Sequence, residues 1–347
     1  MIARSTVLVE VLELYGLENS QVTPHDVGLI NRTYLVTDNG GKQYILQKVN
    51  PMFEPSIMED IEAVTRHIES KGLVTPHLFH TIDSNLFVKR KNEYWRVFNY
   101  IEGKTFEKIG DPAVAREAGI VLARFHKALL DLNYEFKHVR HNVHDTKKHI
   151  ANLKNTLNTK SFHPRFRHIR PLAESILTAY MELPEITHTP VRKVHGDPKI
   201  TNILFDENDN HSLCLIDFDT LGNMALPLEL GDAFRSWCNP WGEDLEQTGF
   251  SLELFRAGLE GYATEGREFL LHDEWQSILP ATYTIYIELA ARFCADALNE
   301  SFFGWDREKF ASHSEHNEIR ARGQLNASIT LKKMYAESEK YVREIFA

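Results

Sequence analysis

The sequence predicts an α+β protein of two lobes, a small β-rich N-terminal lobe and a large helical C-terminal one. Three observations predict it. Residues 31–100 hold four runs rich in β-forming side chains, two of them joined by a tight-turn sequence. Beyond Gly103 the apolar residues take up helical spacing almost throughout. One short pair of apolar runs, 203–205 and 213–216, interrupts those helices. A chain of 347 residues with 43% apolar and 25% charged side chains has the material for two lobes without disulfide staples. The boundary is placed at a connector near residues 100–104, giving lobes 1–101 and 102–347.

Residues 4–16 place Val7, Leu8, Val11, Leu12 and Tyr15 on one face of a helix. Asn31–Val36 and Gln43–Val49 then read as strands, with Asp38-Asn39-Gly40-Gly41 as their hairpin turn. A helix from about Ser56 to Ser70 ends at Gly72, and Asn85–Lys89 and Tyr94–Tyr100 complete the sheet. Asp111-Pro112 starts the first long helix, with Asp as N-cap and Pro at the first helical position, running to about Leu130. Further helices are predicted over 144–158, 165–182, 228–237, 252–264, 275–300 and 314–345.

The formal net charge of −10 argues against a nucleic-acid partner, whose phosphates attract basic surfaces. The three cysteines, Cys214, Cys238 and Cys294, have no metal-finger spacing and fit reduced thiols of a cytoplasmic protein. The N-terminal segment is punctuated by acids, unlike a signal peptide, and no run of about 18 apolar residues implies a membrane span. Residues 137–170 carry nine Lys/Arg, six His and one acid, Asp145. They read as a solvated face of inserted helices, with an electropositive rim over an anionic ligand as the alternative. His138, His141 and His144 lack an adjacent acid cluster and are read as solvated, not as a metal site. His126 is expected to pack within its helix.

The chemistry concentrates in Val194-His195-Gly196-Asp197-Pro198-Lys199-Ile200-Thr201-Asn202-Ile203 and, after the predicted hairpin, Ile216-Asp217-Phe218-Asp219. Phosphoryl transfer needs a carboxylate for the attacking hydroxyl and oxygen ligands for Mg²⁺ against phosphates. Asp197 and Asn202 have the Asp-x-x-x-x-Asn spacing of a kinase catalytic loop. Asp197 and Asp217 are harder to explain as surface turn carboxylates, because Asp217 directly follows the apolar run Leu213–Ile216. No Gly-x-x-x-x-Gly-Lys-Ser/Thr segment is present, which excludes a P-loop enzyme.

This pattern resembles the aminoglycoside phosphotransferase and choline kinase superfamily. The resemblance implies a bilobal protein-kinase-like fold, ATP and Mg²⁺ as cofactors, Asp197 as base, His195 as loop support, and Asn202 and Asp217 as metal ligands, with Asp219 as an auxiliary ligand or an orienting group. It also implies a nucleotide site from Gly28 and Asn31 in the covering hairpin, Ile45 and Gln47 on one face of the third strand, Glu62 on the following helix, and the backbone near Asn99 to Ile101 against adenine. The register puts Gln47 where the family carries a phosphate-binding lysine, while Lys48 points to the other face. Glu62 matches the family's ion-pair glutamate, which Gln47 meets only by a hydrogen bond.

Segments along the chain resemble the N-acetylhexosamine 1-kinase branch: Asn31-x-Thr33-Tyr34-Leu35-Val36, Tyr44–Gln47, Trp95–Val97, His144–Thr146, Asp217–Thr220, Leu230–Arg235, Ala291–Asp296 and Glu315–Gln324. That branch phosphorylates the anomeric hydroxyl of N-acetylglucosamine or N-acetylgalactosamine. Asp232, Arg235, Arg292, Asp296 and Phe303 are the substrate-side candidates, with ion pairs inside the lobe as the structural alternative for the charged ones. Two departures bear on the acceptor: Leu29 stands where the branch has His, and Phe303 where it has Tyr. The expectation is a small-molecule kinase acting on a sugar. Choline, homoserine or aminoglycoside kinases, and a weakly active nucleotide-binding regulator, are the alternatives. The sequence gives no oligomeric state.

Overall fold

The computed structural model describes residues 6–25, 30–138 and 143–347. The chain divides into two compact units. The first takes in the residues up to Gly103, a segment from Ala128, and the short stretch Ile216–Gly222. The second holds the rest.

The first unit contains α1 (Thr6–Leu14), β1 (Gln21–Pro24), β2 (Arg32–Thr37), β3 (Gln43–Val49), α2 (Ile57–Ser70), β4 (Leu78–Phe79), β5 (Val88–Arg90) and β6 (Glu93–Asn99). Its sheet runs β1-β2-β3-β6-β4, with β5 also on β6, and every pairing is antiparallel. Strands β1 and β4 were not anticipated; runs of four and two residues are too short for alternation to register. Alternation along β3 sends Tyr44 and Leu46 to one face, where they pack with Val36, Trp95 and Val97 against Leu8, Val11 and Leu12 of α1. Ile45 and Gln47 share the opposite face, opposed by Phe98 and Arg96 on β6. Lys48 lies over the Trp95 ring and pairs with Glu93.

Asp60 on α2 is fully buried and explains why the segment after Ala128 belongs here. Its carboxylate accepts hydrogen bonds from the Tyr134 hydroxyl and from the Lys137 and His138 N–H groups, each at 2.8 Å. His138 is thereby buried, edge-on to Phe53, which corrects the expectation of a solvated histidine. His141 lies outside the described residues.

The second unit begins with α3 (Pro112–Ala128), where Asp111 accepts the Ala113 N–H at 2.9 Å. Then come α4 (Thr146–Thr159), α5 (Phe166–Tyr180), β7 (Val191–Val194), β8 (Ile203–Phe205), β9 (Ser212–Leu215), β10 (Gly222–Ala225) and α6 (Leu226–Trp237). The chain ends in α7 (Leu252–Gly266), α8 (His272–Gln276), α9 (Ile278–Asn299), α10 (His313–Lys333) and α11 (Tyr335–Phe346). Helix α9 is buried along most of its length, with α10, α6, α4 and α5 packed around it.

The helix predicted over 275–300 is two, α8 and α9, divided at Ser277. Pro280 marks the division: it sits in the first turn of α9, where a missing N–H costs nothing. The helix predicted over 314–345 is broken at Met334, whose N–H goes to both the Thr330 and Leu331 carbonyls, and no Gly or Pro announces the break. The strands β7 and β10 pair with each other and were also not anticipated. In the basic stretch, Lys147, Lys148, Lys154, Lys160, Arg167 and Arg170 are exposed, while Arg165 joins His168 and Arg322 on the buried Glu318. Among the described residues no helix is long and apolar enough to cross a membrane. All three cysteines are buried and free.

Candidate active site

The loop between β7 and β8 is gripped by α6. Glu229, in the first turn of α6 and fully buried, accepts the His195 N–H at 2.9 Å and the Gly196 N–H at 3.0 Å. Gly196 has φ +83°, a left-handed conformation that glycine adopts without penalty. Two turns on, Ser236 accepts the Ile200 N–H at 3.1 Å, and the buried Trp237 donates its indole N–H to the Pro198 carbonyl at 3.0 Å. The His195 ring is fully buried, edge-on to Phe125. The loop is therefore fixed at both ends while Asp197 stays 27% exposed.

Lys199 Nζ lies 2.7 Å from Asp197 Oδ2. The Asn202 amide donates to the Asp197 carbonyl at 2.9 Å and to Oδ2 at 3.2 Å. Burial pushes the Asp197 carboxyl up, but the charge and hydrogen bond of Lys199, with the charges of His195 and Arg235, hold it below the ordinary carboxylate range. Asp197 is thus kept ionised, as a proton acceptor must be. The Asn202 NH₂ is thereby committed to Asp197.

The β8–β9 hairpin pairs Ile203 with Leu215 and Leu204 with Cys214. Asp217 has φ +66° and ψ 62°, a left-handed conformation uncommon for any residue but glycine. A 3-10 turn, Phe218–Thr220, follows. Among the described residues no cluster of three or more His, Cys, Asp or Glu could hold a metal.

Asp219, expected as an auxiliary metal ligand or an orienting group, has both carboxylate oxygens engaged within the protein. Arg96 holds it bidentately, Nη1 to Oδ1 at 2.5 Å and Nη2 to Oδ2 at 2.8 Å, and Asn31 Nδ2 donates to Oδ2 at 2.6 Å. Both side chains of the ion pair are nearly inaccessible, at 1% and 3% exposure. Arg96 also donates to Gln47 Oε1 through Nε at 3.0 Å and Nη2 at 2.8 Å. The residue at the expected lysine position is thus the acceptor for an arginine on the neighbouring strand. Glu62 is bound to Arg66 and His80, not to Gln47, whose other partner is Thr33. Gly28 lies outside the described residues.

Ile45 is half-buried on the Gln47 face. The Asn99 N–H goes to the His77 carbonyl and the Tyr100 N–H to that of Gln43. The Asn99 side chain accepts from His77 N–H at 2.7 Å.

Of the residues expected on the substrate side, Asp232 and Arg235 pair with each other at 2.8 Å, and Arg235 also binds Glu243. The Asp296 carboxylate accepts the N–H groups of Ser301, Phe302 and Phe303 and a bond from His313, so it shapes the turn after α9. Phe303 packs against Phe293 with ring centres 4.4 Å apart and planes tilted by 46°, and the Arg292 guanidinium lies 5.5 Å from its ring centre. Nearby in sequence, Glu288 accepts from His144 at 2.9 Å and from Thr146 at 2.7 Å. Burial alone lowers the affinity of His144 for a proton, but Glu288 outweighs it and raises the His144 pKa.

Sequence reasoning passed over Glu229, Lys199 and the role of Arg96. Each carries a signal: Glu229 and Arg96 are charges inside apolar runs, which require buried partners, and Lys199 is two residues from the proposed base.

The family model described as the phosphotransferase enzyme family matches residues 21–268. Among solved structures, the chain is similar to an aminoglycoside phosphotransferase from Alicyclobacillus acidocaldarius, at 15% identity and TM-score 0.64 over 99% of this chain and 97% of that one. It is similar to an amicoumacin kinase in complex with AMP-PNP, Ca²⁺ and amicoumacin, at 13% identity and TM-score 0.61 over 99% and 94%. It also resembles a choline kinase from Cryptosporidium parvum, at 10% identity and TM-score 0.61 over 98% and 99%. These likenesses establish the protein-kinase-like α+β fold. With the family match spanning well over half of its length, the chain belongs to the phosphotransferase enzyme family.

Proposed function

We propose that this phosphotransferase is an ATP- and Mg²⁺-dependent kinase that phosphorylates a hydroxyl of a sugar, with the anomeric hydroxyl of an N-acetylhexosamine as the leading acceptor. The observation that carries the proposal is the setting of Asp197, anchored through its neighbours by α6 and kept ionised by Lys199. In this reading Asp197 orients and takes the proton of the attacking hydroxyl, and His195 fixes the loop from behind. Asn202 through its amide oxygen and Asp217 through its carboxylate are the residues that would hold the cation. Bound Mg²⁺ would neutralise charge on the phosphate oxygens. The AMP-PNP and Ca²⁺ of the similar amicoumacin kinase support a nucleotide and a divalent cation.

A sugar is favoured by charge balance on the substrate side. Asp232 is neutralised by Arg235, Glu288 by His144, and Asp296 by backbone amides and His313. A polycationic aminoglycoside or a quaternary amine calls for carboxylates or aromatic faces left open to it. An arginine against phenylalanine rings, Arg292 on Phe302 and Phe303, suits a neutral polyol better.

The test is ADP release across a panel of N-acetylhexosamines, hexoses, choline, homoserine and an aminoglycoside, with products identified by ³¹P NMR. An N-acetylhexosamine with the highest kcat/KM and a 1-phosphate product is expected. Turnover confined to an amino alcohol or aminoglycoside would overturn the acceptor assignment, and no ADP release with any acceptor would favour a binding regulator.

A further inference from the structure

The sequence lacks a lysine at position 47, and the structure supplies a buried arginine one strand away. We propose that Arg96 is a positioning residue for Asp217, holding the Asp217–Thr220 turn through Asp219 so that the Asp217 carboxylate is set for the metal. The inference rests on the reading of Asp217 as a metal ligand.

Three observations within the first unit carry it. Arg96 is 1% exposed and fully committed: one edge is bidentate on Asp219, Nε and Nη2 reach Gln47 Oε1, and Nη1 also touches Met58 Sδ of α2 at 3.7 Å. No donor remains for a nucleotide phosphate, so its task is the protein's own geometry. Second, Asp219 is two residues beyond Asp217, inside the 3-10 turn that begins there. Asp217 sits in the left-handed region, which a non-glycine residue keeps only where surrounding contacts determine it. Third, Asn31 adds a 2.6 Å hydrogen bond to Asp219 and accepts the Asn50 N–H at 2.9 Å. The turn is therefore tied at one point to β6, β3 and the segments flanking β2 and β3. Gln47 fits this arrangement better than lysine. A lysine there would set a second cation against the buried guanidinium, whereas the amide oxygen accepts two of its hydrogens.

The test measures Mn²⁺ binding by electron paramagnetic resonance on the intact protein with AMP-PNP, beside AMP-PNP binding without metal. Arg96→Lys keeps a charge but loses the bidentate fork. Altering a group that orients a metal ligand typically costs about 10–100-fold in metal affinity. The expected result is a rise of that order in the Mn²⁺ dissociation constant, with metal-free AMP-PNP affinity changed less than about threefold. Asn31→Ala, which removes a single bond, is expected to move Mn²⁺ affinity the same way by a smaller factor and serves if Arg96→Lys does not fold. Mn²⁺ affinity within twofold of wild type in either folded variant, while Asp217→Asn loses it, would overturn the role of Arg96 alone. Unchanged Mn²⁺ affinity in Asp217→Asn would instead remove the metal reading, and the inference with it.

Discussion

Glu229 anchors the loop that carries Asp197, and its removal has a calculable cost. The Glu229→Ala variant leaves the His195 and Gly196 N–H groups, bound at 2.9 and 3.0 Å to a fully buried carboxylate, without acceptors. Each buried donor stranded in this way costs about 1–3 kcal/mol, so the loop loses roughly 2–6 kcal/mol if it stays in place. The cheaper response is to move until the amides meet water. A displacement of about 1 Å of a reacting group costs on the order of 100-fold in rate. Glu229→Gln should be intermediate, because its oxygen satisfies one N–H while its NH₂ opposes the other. Hydrogen exchange of a peptide spanning 191–200 and kcat would be measured on the same preparations. Faster exchange and a kcat falling in the order wild type, Gln, Ala are expected. Wild-type exchange and turnover in Glu229→Ala would refute the claim that α6 positions Asp197 through this carboxylate.

Other predictions follow from the same physics. Lys199→Met removes the charge that offsets burial at Asp197, so the acid limb of the pH dependence of kcat/KM should move to higher pH; an unmoved limb would detach Lys199 from Asp197. Gly261→Ala would bring a Cβ within 1.9 Å of the Arg116 carbonyl oxygen, between α7 and α3, so a loss of about 2 kcal/mol or more and a lower Tm are expected. His144 has a raised pKa and Glu288 a lowered one, each against the opposing effect of burial. The His contribution to stability is complete below its unfolded value of 6.5 and is lost as pH rises through the folded value. The Glu contribution is present above 4.5 and is lost as pH falls through the depressed folded value. The stability advantage of wild type over His144→Gln should therefore be largest between those values and shrink toward pH 9 in denaturant titrations.

Legibility in the sequence followed the range of the interactions. The Asp38–Gly41 turn, the alternation of β3 and the Asp111-Pro112 helix start are local, and the structure carries a hairpin, a half-buried strand and a capped helix at those positions. Burial of His138 and His144 was not readable, because their partners Asp60 and Glu288 are 78 and 144 residues away. The same holds for Gln47. Its register could be deduced, but its partner Arg96 is 49 residues on, and the carboxylate that Arg96 neutralises is 123 beyond that. Asp219 looked like a metal ligand for the same reason: a sequence displays an acid without displaying the cation already holding it. The break at Met334 had no chemical marker at all, whereas that at Ser277 had one in Pro280.

The central claim is that Asp197 is the proton acceptor in phosphoryl transfer. Asp197→Asn tests it most directly, by kcat with the preferred acceptor and by AMP-PNP affinity on the same protein. A kcat lower by about 10²–10⁴-fold with nucleotide affinity nearly unchanged is predicted. Turnover within a few fold of wild type would contradict it.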